Sequence, residues 1–370
     1  MNTTRSLTLN QPFTAKVADH LQKLLQEHSK FFLAMAGAFL LVGLTYRTPH
    51  IGMWVGFGFA AYAAVANDSI QTLGTFLASN GDRKWWQLWL FVAAVFVATI
   101  TYSWYTYGGD VSNQRLAAKG FETAPTQFHF LQLAAPIFLI ILTRFKMPVS
   151  TTFLLLSCFA TSGKGLGAMI VKSMSGYLIA FVCSIVLWMT FGRWMQRTFQ
   201  GKAHPLWRVG QWITTGLLWS VWLMQDAANI AVFLPRSLGV GELLIFLGAV
   251  VGGLAIIFRK GGEKIQQVVE EKADVVDVRA ATMIDLLYAV ILYVFKIVSE
   301  IPMSTTWVFV GLLAGREIAM AVRRANNDGR TVSQAFKLAR KDFTYVSIGF
   351  FISLVIAAIS NPVVASALFD

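Results

Sequence analysis

The chain predicts an all-α polytopic membrane protein: two inverted-topology repeats with broken helices and re-entrant hairpins, plus one extra N-terminal helix. Three observations carry that expectation. Of 370 residues, 56% are hydrophobic and only 14% charged, with a mean hydropathy of +0.58. A water-soluble domain of this length cannot bury so much apolar surface. Apolar segments at 31–46, 85–106, 168–191, 239–258 and 343–359 carry few or no charges over most of a bilayer's thickness. Finally, two polar words recur in the same order. Asn67-Asp68 with Gln71 precedes Pro148-Val149-Ser150-Thr151-Thr152, and Gln225-Asp226 with Asn229 precedes Pro302-Met303-Ser304-Thr305-Thr306. Asp68 and Asp226 are 158 positions apart, and Pro148 and Pro302 are 154 apart. A near-constant offset between unrelated words marks an internal duplication.

The elements follow in order. Residues 1–29 form a polar segment without the apolar stretch or small-residue cleavage site of a secretory signal, and 18–30 read as a short amphipathic surface helix. The extra helix covers 30–46. The first repeat, 51–191, opens with an apolar stretch over 51–80 that holds Asn67, Asp68, Gln71, Gly74 and Thr75. Polar groups and glycine there predict a helix interrupted in mid-membrane. A helix follows at 85–107, its start anchored by Trp85, Trp86 and Trp89. The polar segment 108–127 reads as an exposed loop. Two apolar pieces, 128–145 and 149–162, flank Arg144-Phe145-Lys146-Met147-Pro148, and the second is too short to span. That pattern predicts a re-entrant hairpin with its tip inside the protein. A helix over 168–191 closes the repeat. After a linker at 192–208, the second repeat (209–366) has the same order. It contains a polar-interrupted stretch at 209–236, a helix at 239–258 and a hairpin at 281–315 with Lys296, Glu300 and Pro302 at its tip. Its last helix covers 343–366. The mixed-charge segment 259–280 reads as a loop or surface helix.

Basic residues orient this layout. With a cytoplasmic N-terminus, the inside segments 1–30, 81–84, 192–208, 259–280 and 316–342 hold 22 of the 31 Lys and Arg. Outside segments hold six and the hairpin junctions three. The imbalance follows the positive-inside rule, and the two repeats then run in opposite senses. It also accounts for the net charge of +12 without nucleic acid, since no basic stripe with interleaved aromatics stands outside the spans.

Pro-x-Ser-Thr-Thr reads as a helix start, with Pro at the first position and Ser or Thr capping. Placed in mid-membrane, a helix start presents unpaired N–H groups and partial positive charge, which suits an anion. A lone copy is ordinary capping; two copies at matched offset favour binding. Asp68 and Asp226 cost about 2.5–3.5 kcal/mol each at the bilayer centre on insertion scales. Such a carboxylate needs a partner, a proton or a cation. Asn67, Gln71, Gln225 and Asn229 supply amide oxygens beside them, as a hard cation such as Na⁺ requires. Lys146 and Glu300 stand at matching hairpin positions, two residues before each Pro, where an ion pair can form. Anion and acids together imply coupled transport with Na⁺ or H⁺.

Other features bear no chemistry. Cys158 and Cys183 lie in apolar segments as small hydrophobes. Gly163-Lys164-Gly165-Leu166-Gly167 lacks the phosphate-loop context and reads as a turn, and the Asn67-Asp68-Ser69 sequon sits at membrane depth. No His has metal-ligand spacing and no nucleophile–base pair appears, so no enzyme and no cofactor are expected.

These words resemble the inorganic phosphate transporter (PiT) family, whose repeats carry Gly-Ala-Asn-Asp-Val-Ala-Asn and Pro-Val-Ser-Thr-Thr-His. Ala66-Asn67-Asp68 with Gly74-Thr75 is similar to the first pattern, and Pro148 to Thr152 match the second in full. Asp226 and Asn229 fit in the second repeat, and Pro302 to Thr306 differ only at Met303. Gly261-Gly262-Glu263-Lys264 is also similar. Departures are Gln71 and Gln225 for Asn, Phe153 and Trp307 for the two His, Val65 and Leu223 for the leading Gly, and the extra N-terminal helix. The resemblance spans about residues 55 to 360. It implies a cation-coupled symporter of phosphate, with sulfate or another tetrahedral oxyanion as the alternative, or a non-transporting sensor or partner subunit. It implies a plasma-membrane homodimer in contact with lipid. Substrate contacts are then expected at Asp68, Thr75, Ser150, Thr151, Thr152, Asp226, Ser304, Thr305 and Thr306. Cation contacts are expected at Asn67, Asp68, Gln71, Gln225, Asp226, Asn229 and Glu300.

Overall fold

The computed structural model describes residues 28–118, 121–145, 147, 149–160, 166–260, 277–298, 304–323 and 330–369, and among them there is no strand. The side chain of Gln71, together with Lys146, Pro148, Lys164, Glu300, Pro302, Met303 and most of the 1–29 and 259–280 segments, lies outside the described residues. So do the expected Lys146–Glu300 pair and the glycine turn at 163–165.

The helices are α1 (Ser29–Thr45), α2 (Pro49–Ser79), α3 (Trp85–Thr106), the single turn α4 (Arg115–Ala118), α5 (Phe130–Arg144) and α6 (Leu166–Thr198). In the second half come α7 (Pro205–Ala231), α8 (Val240–Arg259), α9 (Val278–Leu292), α10 (Thr305–Arg323), α11 (Val332–Ser360) and α12 (Pro362–Phe369). Among the described residues, six stretches are long and apolar enough to cross a membrane: α3, Met174–Gly192 within α6, α8, Val278–Phe295, α10 and α11.

Local chemistry sets the helix starts. Pro49 and Pro205 occupy first-turn positions, where a missing N–H costs nothing. The Asp277 carboxylate accepts from the Arg279 N–H at 2.8 Å to cap α9. Thr331 and Gln334 cap each other at the start of α11, with N–H···O distances of 2.8 and 3.3 Å. That box corrects the expected start at 343. The helix begins eleven residues earlier and carries its charged first turns out of the apolar span. α10 likewise continues to Arg323 rather than ending at 315, and places Arg316 inside the protein, over the Trp188 ring.

The expected breaks in the two Asp-bearing helices are absent. α2 is one unbroken helix of 31 residues and α7 one of 27. The polar groups need no interruption because they are satisfied sideways or backwards. Ser69 and Thr72 hydroxyls donate to the carbonyls one turn earlier, of Val65 and Asp68. Asn67 and Asp68 bond to the first hairpin instead of to water.

That hairpin consists of α5 and a short returning arm with a π-helical turn at Thr152–Leu156. Gln132, at the start of α5, donates to the Cys158 carbonyl at 2.8 Å, so the chain enters and leaves at the same level. Asn361, just after α11, holds the returning arm through the Ser157 and Ala160 carbonyls at 3.1 and 2.8 Å. The second hairpin has longer arms, α9 with a π-helical turn at Tyr293–Val298, and α10. Packing between the halves is reciprocal. α6, which follows the first hairpin, lies along α10 of the second, and α11 packs on the returning arm of the first. The α6–α10 contact is close because a Cβ at Gly311 or Gly315 would sit 2.4 Å from the Tyr177 or Phe181 carbonyl.

α1 packs on α2 and α5, with Phe39 against Phe138 (ring centroids 5.4 Å apart) and Tyr46 against Phe130 (6.1 Å). Its outer face exposes Leu33, Leu40 and Leu44. Arg236, between α7 and α8, donates to the Phe121 and Thr123 carbonyls of the α3–α5 loop at 2.7 and 3.0 Å and to the Leu234 carbonyl at 2.7 Å. Burial lowers its pKa to about 10 against the opposing pull of Asp110, so it stays charged at neutral pH.

Candidate functional site

The returning arm of the first hairpin starts with Ser150, Thr151 and Thr152, and each hydroxyl has a separate partner. Ser150 accepts from the Phe153 N–H at 3.2 Å, an ordinary cap. Thr151 donates to Asp68 of α2. Thr152 donates to Asp226 of α7 at 3.0 Å. Two consecutive threonines therefore take one carboxylate from each half of the chain. The surroundings are matched as well. Asp68 also accepts from Asn67 at 2.6 Å, and Asp226 from Asn229 at 3.1 Å. Asn229 further donates to the Thr152 hydroxyl at 3.0 Å. All of these side chains are buried.

α10 of the second hairpin meets this group at the Val149 carbonyl. Val149 O accepts from Thr306 at 3.1 Å and from Asn67 at 3.0 Å. Ser304 caps the Trp307 N–H at 3.5 Å, as Ser150 does in the first hairpin. The Thr305 carbonyl accepts from the Tyr288 hydroxyl at 3.0 Å. Both helical starts follow the serine, at residues 151 and 305, so the serine rather than the proline marks the boundary. The two threonine words are thus used differently: Thr152 bonds an acid and Thr306 a backbone carbonyl.

The donor set suits a hard cation beside these acids. The Gln225 Oε1 and Asn229 Oδ1 atoms are buried, and no hydrogen bond reaches either among the described residues. With the Asp226 carboxylate between them in sequence, they offer the oxygen ligands that Na⁺ prefers. Among the described residues no three His, Cys, Asp or Glu side chains gather as a transition-metal cage would require. A cavity of ≈10 Å³, about the size of one water, touches Asp226, Ser69, Val65 and Leu223.

Thr75 is not brought to this cluster. It lies seven residues, or about 10 Å, further along α2 and donates to Asp285 at 2.5 Å. Thr215 of α7 donates to the other oxygen of the same carboxylate at 2.5 Å. Asp285, on α9, is buried and was not anticipated from the sequence. It belongs to no recurring word of the sequence. The signal available was simply an acid inside an apolar span. Beyond it, Asn80 donates to Gln211 at 2.8 Å and accepts from Trp212 at 3.3 Å. A polar stripe thus runs down α2 from Asp68 to its end.

The departures from the family pattern are packed rather than left open. Phe153 and Trp307, which replace the two His, both meet Phe350 of α11, at 4.6 and 5.9 Å between centroids. Val65 lies against Gly253 of α8, where an added Cβ would be 3.7 Å away.

No family model and no curated protein sequence matches the chain. Among solved structures, it is similar to one described as "The sodium-dependent phosphate transporter", with a TM-score of 0.51 and 15% sequence identity, over 86% of this chain and 99% of that one. The chain shares the fold of that structure. At that identity the relation is a distant one of architecture, and it agrees with the apolar helices in making this a multi-pass helical membrane protein.

Proposed function

We propose that this protein is a secondary transporter of a tetrahedral oxyanion, phosphate in the first place, driven by Na⁺ or H⁺. One observation carries the reading: adjacent Thr151 and Thr152 on one hairpin tip hold Asp68 and Asp226 from the two halves. A carboxylate and a hydroxyl that bond each other at membrane depth are both available to ions once the bond opens. Hydroxyls of Thr151, Thr152 and Thr306, with the N–H groups at the two helical starts, would then donate to the anion. Asp226 with the Gln225 and Asn229 oxygens would take the cation, and Asp68 with Asn67 a second cation or a proton. Co-binding of the cation offsets repulsion between the anion and the acids.

In this reading the two halves are inverted repeats, the N-terminus is cytoplasmic, and rocking of the hairpins against α2 and α7 alternates access. Asp285, with Thr75 and Thr215, stands on the polar stripe toward the end of α2 that faces inside in this reading. It serves there as the next resting point for the coupling ion.

Uptake of labelled phosphate into proteoliposomes under Na⁺ or H⁺ gradients tests the proposal, with sulfate and arsenate as competitors. Gradient-dependent uptake that arsenate blocks and Asp68→Asn with Asp226→Asn abolishes is the expected result. Uptake that survives the double substitution rules out the site. Stronger block by sulfate than by arsenate moves the substrate to sulfate. Absence of uptake under every gradient favours a non-transporting partner subunit.

A further inference from the structure

α11 is longer than a bilayer is thick. Its 29 residues extend about 44 Å at 1.5 Å each, against about 30 Å of hydrocarbon. The excess lies at its N-terminal end, where Lys337, Arg340, Lys341 and Thr344 occupy one face at helical spacing. The three cations are exposed, and among the described residues no carboxylate pairs with them. Asp342, the acid on this helix, is buried on the other side.

The cations border two shallow cavities. One, ≈500 Å³, runs along α11 beside Gln334, Lys341, Thr344 and Tyr345. The other, ≈580 Å³, lies between α6, α10 and α11 and is floored by Tyr177, Phe181, Ile318 and Phe336. Lys337 and Arg340 line both. Phe343 and Tyr345 are exposed beneath them, with Phe336 exposed at their outer edge, and the Lys341 ammonium lies 5.6 Å from the centre of the Tyr345 ring. The polar charges thus sit at the water side and an aromatic surface continues toward the hydrocarbon. A soluble anion matches only the first half of that arrangement. An amphiphile matches both.

We propose that this groove binds the headgroup of an anionic phospholipid. Arg340 and Lys337 receive the phosphodiester, Arg340 with its fork of donors and Lys337 as a point charge. Acyl chains descend along Phe343 and Tyr345. Juxtamembrane basic clusters of this kind favour the anionic leaflet. The orientation proposed above decides only which leaflet is meant.

Native mass spectrometry of the full-length protein in detergent tests the site, with phosphatidylglycerol or phosphatidylcholine added at equal concentration. The expected result is preferential retention of phosphatidylglycerol, reduced at least tenfold by K337Q/R340Q/K341Q and unchanged by millimolar inorganic phosphate. The triple variant is exposed at all three positions and should keep its thermal midpoint, which confirms that it is folded. Equal retention of both lipids would overturn the proposal, as would retention indifferent to the triple variant. Displacement of the lipid by inorganic phosphate would make this a free-anion site. Loss of a dimer in the triple variant would assign the face to a second copy. Transport measurements do not enter, so failure here is separate from failure of the transport reading.

Discussion

Replacing Thr152 by Val isolates the chemistry of the centre, because Val has nearly the same shape and lacks only the hydroxyl. In the structure that hydroxyl donates to Asp226 at 3.0 Å and accepts from Asn229 at 3.0 Å. Asp226 keeps its bond from Asn229 at 3.1 Å. A hydrogen bond to a charged group contributes about 1.5–3 kcal/mol. The Asn229 amide keeps its bond to Asp226, so its lost acceptor adds a smaller cost, about 0.5 kcal/mol. The expected destabilisation is therefore about 2–3.5 kcal/mol. In the proposed cycle the same hydroxyl also donates to the anion, so the KM for phosphate should rise about tenfold, the equivalent of 1.4 kcal/mol. Thermal unfolding in detergent and uptake in proteoliposomes measure the two effects. Thr152→Ser keeps the hydroxyl and loses one methyl group, about 0.8 kcal/mol, so it should recover most of both. A Val variant within about 0.5 kcal/mol of the parent, with unchanged KM and no advantage for Ser, would refute the assignment.

Three further outcomes are expected. Asp285→Leu removes the acceptor of both Thr75 and Thr215 and should cost about 2 kcal/mol or more, while Asp285→Asn should fold within about 1 kcal/mol of the parent yet lose gradient-driven uptake; equal stability of the two variants in thermal unfolding would contradict this. Gly311→Ala places a Cβ 2.4 Å from the Tyr177 carbonyl and should destabilise by about 1–3 kcal/mol through overpacking, whereas Gly252→Ala, with open space around it, should stabilise by about 0.5–1 kcal/mol; thermal midpoints check the opposite signs. Asn361→Ala frees the Ser157 and Ala160 carbonyls from α11, and hydrogen exchange at 151–160 should accelerate at least fivefold relative to α3.

Sequence and structure agree where local signals are sufficient. α3 and α8 fall within a residue or two of their expected limits because they are apolar throughout and the polar residues that flank them are plain in the sequence. The first hairpin was legible in its short second piece and charged junction. α2 and α7 were misjudged because a mid-membrane Asp looks like a break when its partner is unknown. The partners, Thr151 and Thr152, lie more than seventy residues away in sequence. The α11 start was missed for a different reason. Hydropathy stops at Lys341, but helical hydrogen bonding continues to the Thr331–Gln334 box, a signal present in the sequence. Asp285 had no repeat to advertise it. The partial asymmetry of the hairpins was also hidden, since matching words do not reveal that Thr306 bonds a carbonyl while Thr152 bonds an acid.

The most direct measurement is an experimental density map of the protein prepared with Na⁺ and phosphate. The account predicts tetrahedral density within hydrogen-bonding reach of the Thr151, Thr152 and Thr306 hydroxyls, and spherical density against Asp226, Gln225 and Asn229. Tetrahedral density elsewhere in the fold, with the Thr151–Asp68 and Thr152–Asp226 bonds still closed, would contradict it.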